Sequence, residues 1–558
     1  MNNKEISRAL RLASQLMELH DGNPFKIRSL QNAAFKVERL PTALETYPPQ
    51  EIESIDGIGK GTSEKIRELL ASGTFKELDG LLAETPAGVI DLLSIKGIGP
   101  KKVRALWKEL DITSTGELLY ACNENRLVEL KGFGEKTQDQ VRRSIEYANA
   151  NKGKYHYAVA ESLATQLLHD LEASGRVRKS SFTGALRRKC EIIDTVSLVL
   201  ADISNDDLIA FLEEHPLVNA TSLRSDVAKI IAMLVSGLHL ECHVTDSDNF
   251  EQLLFRTTGS DSHFEQLKAR PGSKEPVGKT EAELFSSIGL PYLEPEFREG
   301  MFEFGWMEKK QVPDPVDYGD LRGILHNHTT YSDGIDSLEE MAAYCKSMGY
   351  GYLGICDHSQ SAFYANGLKP DRILLQFEEI DRLNRQLAPF VIFKGIESDI
   401  LNDGALDYPD EILAGFDFIV ASIHSVLRME ESKATSRLVK AIENPYTTIL
   451  GHPTGRLLLA REGYPLDMKK VIDACAANGV VIELNANPYR LDLDWRHLPY
   501  AMEKGVTISI NPDAHRKEGY HDMHYGVCVA RKGGLTKEMT FNARTTEEVM
   551  EHFRNRRK

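Results

Sequence analysis

Apolar positions in the first fifty residues recur at helical spacing. Ile6, Leu10, Leu12, Ala13, Leu16 and Met17 form one stripe, and Asn23-Pro24 breaks it before a second helical stretch from about Phe25. From about residue 320 the pattern changes. Short apolar runs such as Gly323-Ile324-Leu325, Phe418-Ile419-Val420-Ala421 and Ile508-Ser509-Ile510 alternate with amphipathic helical stretches. Strands alternating with helices predict a parallel α/β layout, in which residues at the carboxyl ends of strands converge on one face.

A metal-ligating residue type follows each of these runs. His326 and His328, one residue apart, are expected on one face of a strand end. Asp333, His358, Glu397, His424, His452, Asp513 and His515 follow in the same manner. Imidazole nitrogens and carboxylate oxygens in one set suit Zn, Mn or Fe. Nine candidates exceed the needs of one ion and imply a cluster of two or three.

These motifs make residues 320–535 resemble a PHP (polymerase and histidinol phosphatase) domain, a distorted (β/α)7 barrel. The resemblance implies a site for three divalent ions (Mn, Zn or Fe), with Glu397 bridging two of them and Glu397, Asp513 and His515 as the catalytic residues. Hydrolysis of a phosphate ester is the reaction it implies. Arg456 and Arg490, in nearby loops, are candidates for gripping phosphate oxygens.

Composition narrows the remaining classes. At 558 residues several domains are expected. No run of eighteen apolar residues or secretory signal is present, and seven scattered cysteines without Cys-x-x-Cys suggest a reducing cytoplasm. Nothing calls for an oligomer, and a monomer is the expectation. The net charge of −16 means that any contact with DNA must be local.

Such local contacts are suggested by a repeat. Gly57-Ile58-Gly59-Lys60, Gly97-Ile98-Gly99 with Lys101 and Lys102, and Gly132-Phe133-Gly134 with Lys136 each precede a helical stretch. Their glycines allow a tight hairpin, and the helix N–H groups beyond it can meet a DNA phosphate. This resembles the helix-hairpin-helix, a sequence-independent backbone binder. Residues 1–150 thereby resemble the lyase and fingers regions of family X DNA polymerases, with Lys65 at the position of the lyase nucleophile. Within Arg554-Asn555-Arg556-Arg557-Lys558, the basic tail, solvent exposure is expected.

The resemblance implies a multidomain α+β and α/β chain. Its parts are a lyase-like helical domain (1–85), fingers (86–150), a nucleotidyltransferase-like palm (151–256), a thumb (257–305), a linker (306–320) and a PHP domain (321–558). The palm departs from its family. Gly184-Ala185-Leu186-Arg187-Arg188 fits the pattern, as do Thr258-Gly259-Ser260 and His263 of the thumb. However, Thr195 and Ser197 stand where a metal-binding Asp-x-Asp belongs, and the third carboxylate falls on Glu241. A one-residue shift brings in Asp194 but opposes it with Val196, while Asp246-Ser247-Asp248 reads as a turn. Hydroxyls are poor Mg²⁺ ligands beside carboxylates. The expectation is a DNA-repair protein that binds gaps, nicks or 3′ ends and hydrolyses phosphodiesters through its PHP domain, with polymerisation lost. An active gap-filling polymerase with a proofreading PHP domain is the alternative, and a small-molecule phosphatase or a scaffold explains fewer motifs.

Overall fold

The computed structural model describes residues 1–556 apart from 41, 56, 96, 124, 125, 131, 226–228, 272 and 273. Three helix-hairpin-helix positions (Asp56, Lys96 and Lys131) and the tail residues Arg557 and Lys558 therefore lie outside the described residues. Two compact units form, Met1–Lys152 and Gly153–Lys558.

The first unit is helical. Helices Asn3–Leu19 and Pro24–Glu38 occupy the two stretches expected from spacing. Asn23 caps the second with its side chain, and Pro24 takes the first helical position, where no N–H is needed. Ile6, Leu10, Leu30, Ile66, Leu69, Val103, Leu106 and Val141 share one core, so the stripes of separate helices merge into a continuous apolar interior.

The second unit holds two larger sheets. The first has five strands, with Thr195–Ala201 pairing antiparallel to Lys179–Thr183 and parallel to His239–Thr245. Strands Ile230–Leu234 and Val218–Ser225 complete it. Helices Tyr157–Ala173 and Phe250–Thr258 pack with this sheet. The segment read as a linker starts within the helix Glu303–Glu308 and ends docked, with Val316 buried and its N–H donating to the Leu535 carbonyl at 2.8 Å.

The second sheet has seven parallel strands in chain order: Gly323–Ile324, Tyr352–Ile355, Val391–Asp399, Phe418–Ser422, Ile449–Leu450, Val481–Asn485 and Ile508–Asn511. Their near-complete burial explains why they read as apolar runs rather than as alternating ones. An additional parallel bridge, Asn327 to Ala514, joins the ends of the first and last strands, and the His328 N–H donates to the Ala514 carbonyl at 2.9 Å. The sheet is thereby a nearly closed barrel, and its carboxyl ends face one mouth. No helix among the described residues is long and apolar enough to cross a membrane.

Candidate metal centre

All nine predicted ligands meet at this mouth. Glu397, near the end of the third strand and buried, is their hub. Its Oε1 lies 3.0 Å from His452 Nε2, 3.1 Å from His424 Nε2 and 3.4 Å from His326 Nε2. Oε2 lies 2.9 Å from His358 Nδ1 and 3.7 Å from His328 Nε2. Asp513, in the left-handed region at φ 52°, places Oδ1 2.9 Å from His328 Nε2 and 3.6 Å from His326 Nε2. Asp333 joins from the first loop, 3.5 Å from His515 Nε2 and 3.7 Å from His358 Nε2.

Three overlapping groups of ligand atoms result: His328, Asp333, His358 and His515; His326, His328 and Asp513; and His358, Glu397 and His424, each with its atoms within 4.8 Å of one another. His452 touches the third group through Glu397.

A second set of residues, absent from the candidates drawn from sequence, holds the imidazoles in place. His326 Nδ1 faces Glu483 Oε2 at 2.7 Å, and His424 Nδ1 faces Asp399 Oδ1 at 2.6 Å. His515 Nδ1 lies 3.0 Å from the Asp513 carbonyl oxygen. Oxygen acceptors on Nδ1 fix the proton there and leave Nε2 as the ligand atom. Glu483 is itself held, because Asn485 and Asn511 each donate to it at 3.1 Å. Asp357, beside His358, accepts from Thr329 N at 2.8 Å, Ser332 Oγ at 2.5 Å and Gln376 Nε2 at 2.6 Å, which anchors the first loop to the second strand.

Charge in the pocket is unbalanced toward the carboxylates. Burial alone would lower His326, but Glu483, Glu397 and Asp513 hold it well above the ordinary histidine value. Against the same burial, Glu397 and Asp399 raise His424 to about 10. Glu397 is driven the other way, well below the carboxylate range, as neighbouring imidazoles overcome its desolvation. His328, by contrast, is pushed down to about 3 by burial and by His515 and His358. A pocket that draws protons onto imidazoles also draws metal cations. His326 Nε2 is buried without a hydrogen-bond partner while pointing at two carboxylates, so the donor set fits divalent ions.

The two arginines separate. Arg490 lies at the cluster, with Nε 3.8 Å from Asp513 Oδ2. Arg456 is occupied, its guanidinium donating to the Arg490 carbonyl at 2.9 Å, to Asp494 at 2.6 Å and to the Leu491 carbonyl.

Elsewhere, the helix-hairpin-helix glycines sit as their motif requires. Gly57, Gly97 and Gly132 have φ of 87°, 98° and 90°, and Ile58, Ile98 and Phe133 between the glycine pairs are buried. Gly59 and Gly99 cap the helices Lys60–Ser72 and Pro100–Leu110, and Gly134 immediately precedes the helix Glu135–Asn151. A Cβ at Gly59, Gly99 or Gly134 would meet nothing within 4 Å, so these backbone surfaces are open to a close-approaching ligand. Lys60, Lys101 and Lys136 are exposed beside them, and Lys102 is half-buried. Lys65 is paired with Glu77 at 3.1 Å, a carboxylate that Lys26 also reaches at 3.3 Å.

In the five-stranded sheet Ser197 and Glu241 are register partners on adjacent parallel strands. Glu241 is matched by Lys229 at 2.7 Å, Asp194 is exposed, and no group of three metal ligands forms there among the described residues. Arg187 forms a two-point pair with Glu281, at 3.0 and 2.5 Å. Asp246 accepts from the Asn249 N–H at 2.8 Å, as a turn before a helix should.

Family models match this chain in three places. A helix-hairpin-helix domain matches residues 1–75, a SAM-like helix-hairpin-helix tandem residues 89–146, and a PHP domain residues 325–487. The DNA polymerase/3′-5′ exonuclease PolX of Bacillus subtilis (strain 168) is 34% identical over 571 residues, covering 98% of this chain and 99% of that protein. Probable phosphatases are similar over a smaller part. One from Thermoanaerobacter sp. (strain X514) is 27% identical across 40% of this chain and 91% of its own length. One from Acetivibrio thermocellus is 29% identical across 34% of this chain and 78% of its own.

Proposed function

Because this chain belongs to the PolX family of DNA polymerase/3′-5′ exonucleases, we propose that it grips DNA through its helix-hairpin-helix motifs and shortens 3′ ends at the barrel mouth. The observation that carries this reading is the gathering of eight of the nine candidate ligands into three overlapping groups, with His452 joined to the third through Glu397, an arrangement that suits up to three divalent ions. The three groups would hold divalent ions, whose Lewis-acid character would supply charge stabilisation and water activation for phosphodiester hydrolysis. The protein's own residues prepare that step. Glu483 and Asp399 hold His326 and His424 as Nε2 ligands, and Arg490 receives a non-bridging phosphate oxygen.

Nucleotidyl transfer is lost in this reading. Thr195 and Ser197 offer hydroxyls where two carboxylates are needed, and Glu241, at the third position, is paired with Lys229. Lys65 is a candidate lyase nucleophile only once released from Glu77. The alternative, a gap-filling polymerase with a proofreading barrel, is favoured by near-full-length similarity to a polymerase/exonuclease.

A gapped duplex with a 5′-labelled primer, incubated with Mn²⁺ with and without deoxynucleotides, separates the two. Shortening that ignores deoxynucleotides is the expected result, whereas primer extension overturns the loss of polymerisation.

A further inference from the structure

Tyr489 stands directly before Arg490 in the loop after the sixth barrel strand, and it is 56% exposed. A single exposed tyrosine is ordinary. This one is held unusually firmly. Its N–H donates to Asn487 Oδ1 at 3.0 Å, and its carbonyl accepts from the Leu458 N–H at 2.7 Å. Arg456 fastens the next two carbonyls, of Arg490 and Leu491.

The ring also has a buttress from a distant part of the chain. His156 packs edge-on against it, with centroids 4.5 Å apart and planes at 64°. His156 Nε2 meets the Leu458 carbonyl at 3.0 Å, so His156, Leu458 and Tyr489 close a three-residue ring of contacts. His156 belongs to the short strand that pairs with Ile192–Ile193, just before Thr195. The five-stranded half of this unit therefore touches the loop from which Arg490 reaches Asp513.

An immobilised aromatic face next to an arginine that reaches a ligand carboxylate matches the chemistry of a nucleotide, with a flat base beside a phosphate. We infer that Tyr489, braced by His156, is a base-stacking residue of the phosphodiesterase site, receiving a nucleobase at the strand end while Arg490 meets its phosphate. Stacking uses the π-face that every base presents, so the subsite tolerates any base but requires it to be unpaired. The inference rests on the phosphodiesterase reading above. It gives the polymerase-like half a part in cleavage, as the wall that orients the platform.

The test uses the full-length chain in Mn²⁺. In the first arm, a phosphorothioate oligonucleotide resistant to cleavage carries 2-aminopurine as its 3′-terminal base. Stacking is expected to quench its fluorescence with the parent chain and with Tyr489→Phe, but not with Tyr489→Ala, and His156→Ala should weaken the quench. In the second arm, cleavage of an oligonucleotide with an ordinary 3′ base is compared with one ending in an abasic tetrahydrofuran residue. The parent should prefer the base by about tenfold, mainly through KM, and Tyr489→Ala should bring the ratio toward one. An unchanged quench and an unchanged ratio in Tyr489→Ala overturn the inference, and so does an equal loss on both substrates. Failure of the parent to shorten either oligonucleotide overturns the phosphodiesterase reading and this inference with it.

Discussion

Both oxygens of Glu397 face imidazoles, and no other candidate ligand reaches so many imidazoles. Its neighbours divide into residues that ligate and residues that aim, and the two classes should fail differently. His326→Ala or Asp513→Asn removes a ligand atom, so cleavage in Mn²⁺ should fall by at least about a hundredfold while DNA affinity is retained. Loss of DNA binding in the same variants would mean that the centre only supports the fold. Glu483→Gln leaves all nine ligands but weakens the aim of His326. An activity loss of about 10–100-fold is expected, partly recovered at higher Mn²⁺, as read from a rate titration against metal. The candidate ligands were legible in sequence because all but Asp333, which lies in the loop after the first strand, end or follow an apolar run. Glu483 was less so, since it lies inside the run Val481-Ile482-Glu483-Leu484, although a lone acid in a wholly buried strand is itself a signal.

The helix-hairpin-helix elements were readable from local spacing alone. A positive φ at Gly57, Gly97 and Gly132 is a property of the turn itself, and the turn is encoded within a few residues. If the exposed lysines beside these turns contact phosphates, Lys60→Ala, Lys101→Ala and Lys136→Ala together should weaken DNA binding for all sequences. Each should also reduce the slope of log affinity against log salt by about 0.9, measured by anisotropy across a salt series. An unchanged slope would place the DNA elsewhere. Gly132→Val tests the turn itself. It has open space around it but a backbone suited to glycine, so about 1–2 kcal/mol of local strain is expected, with weakened DNA binding. The five-stranded sheet shows the limit of such reading. Substitution of its carboxylates was visible in sequence, but Lys229 stands just before the strand Ile230–Leu234 that pairs with Glu241's strand, and only the folded register brings the two together.

Across the second unit, the two sheets are held together by a buried cation. Lys532 Nζ, on the helix Met523–Lys532, donates to the Arg188 carbonyl at 2.9 Å and pairs with Glu299, which Arg188 also reaches at 2.9 Å. Burial would raise the Glu299 carboxyl, but Lys532 and Arg188 hold it below the usual range. Its contribution is therefore complete above the unfolded carboxylate range and is lost as pH falls through that range and below it. Lys532→Met should cost about 3–5 kcal/mol and lower Tm at neutral pH, because it removes one partner of a buried pair. The deficit should shrink at pH 3–4, where parent and variant are both weakened; an equal deficit at both pH values would assign the loss to packing.

Sequence alone determined the elements and the residue types they carry: helical stripes, apolar strands, three glycine turns and nine candidate ligands at or just beyond strand ends. These depend on local backbone preference and on burial, which leave a periodic trace in the residues themselves. Only the tertiary structure decided which charges meet. It assigned Glu483 to His326, Lys229 to Glu241, Arg456 to a loop rather than to the mouth, and His156 to Tyr489 across some three hundred residues. Such pairings depend on distances set by sheet register and barrel closure, and side chains far apart in sequence leave no periodic mark of the contact they will make.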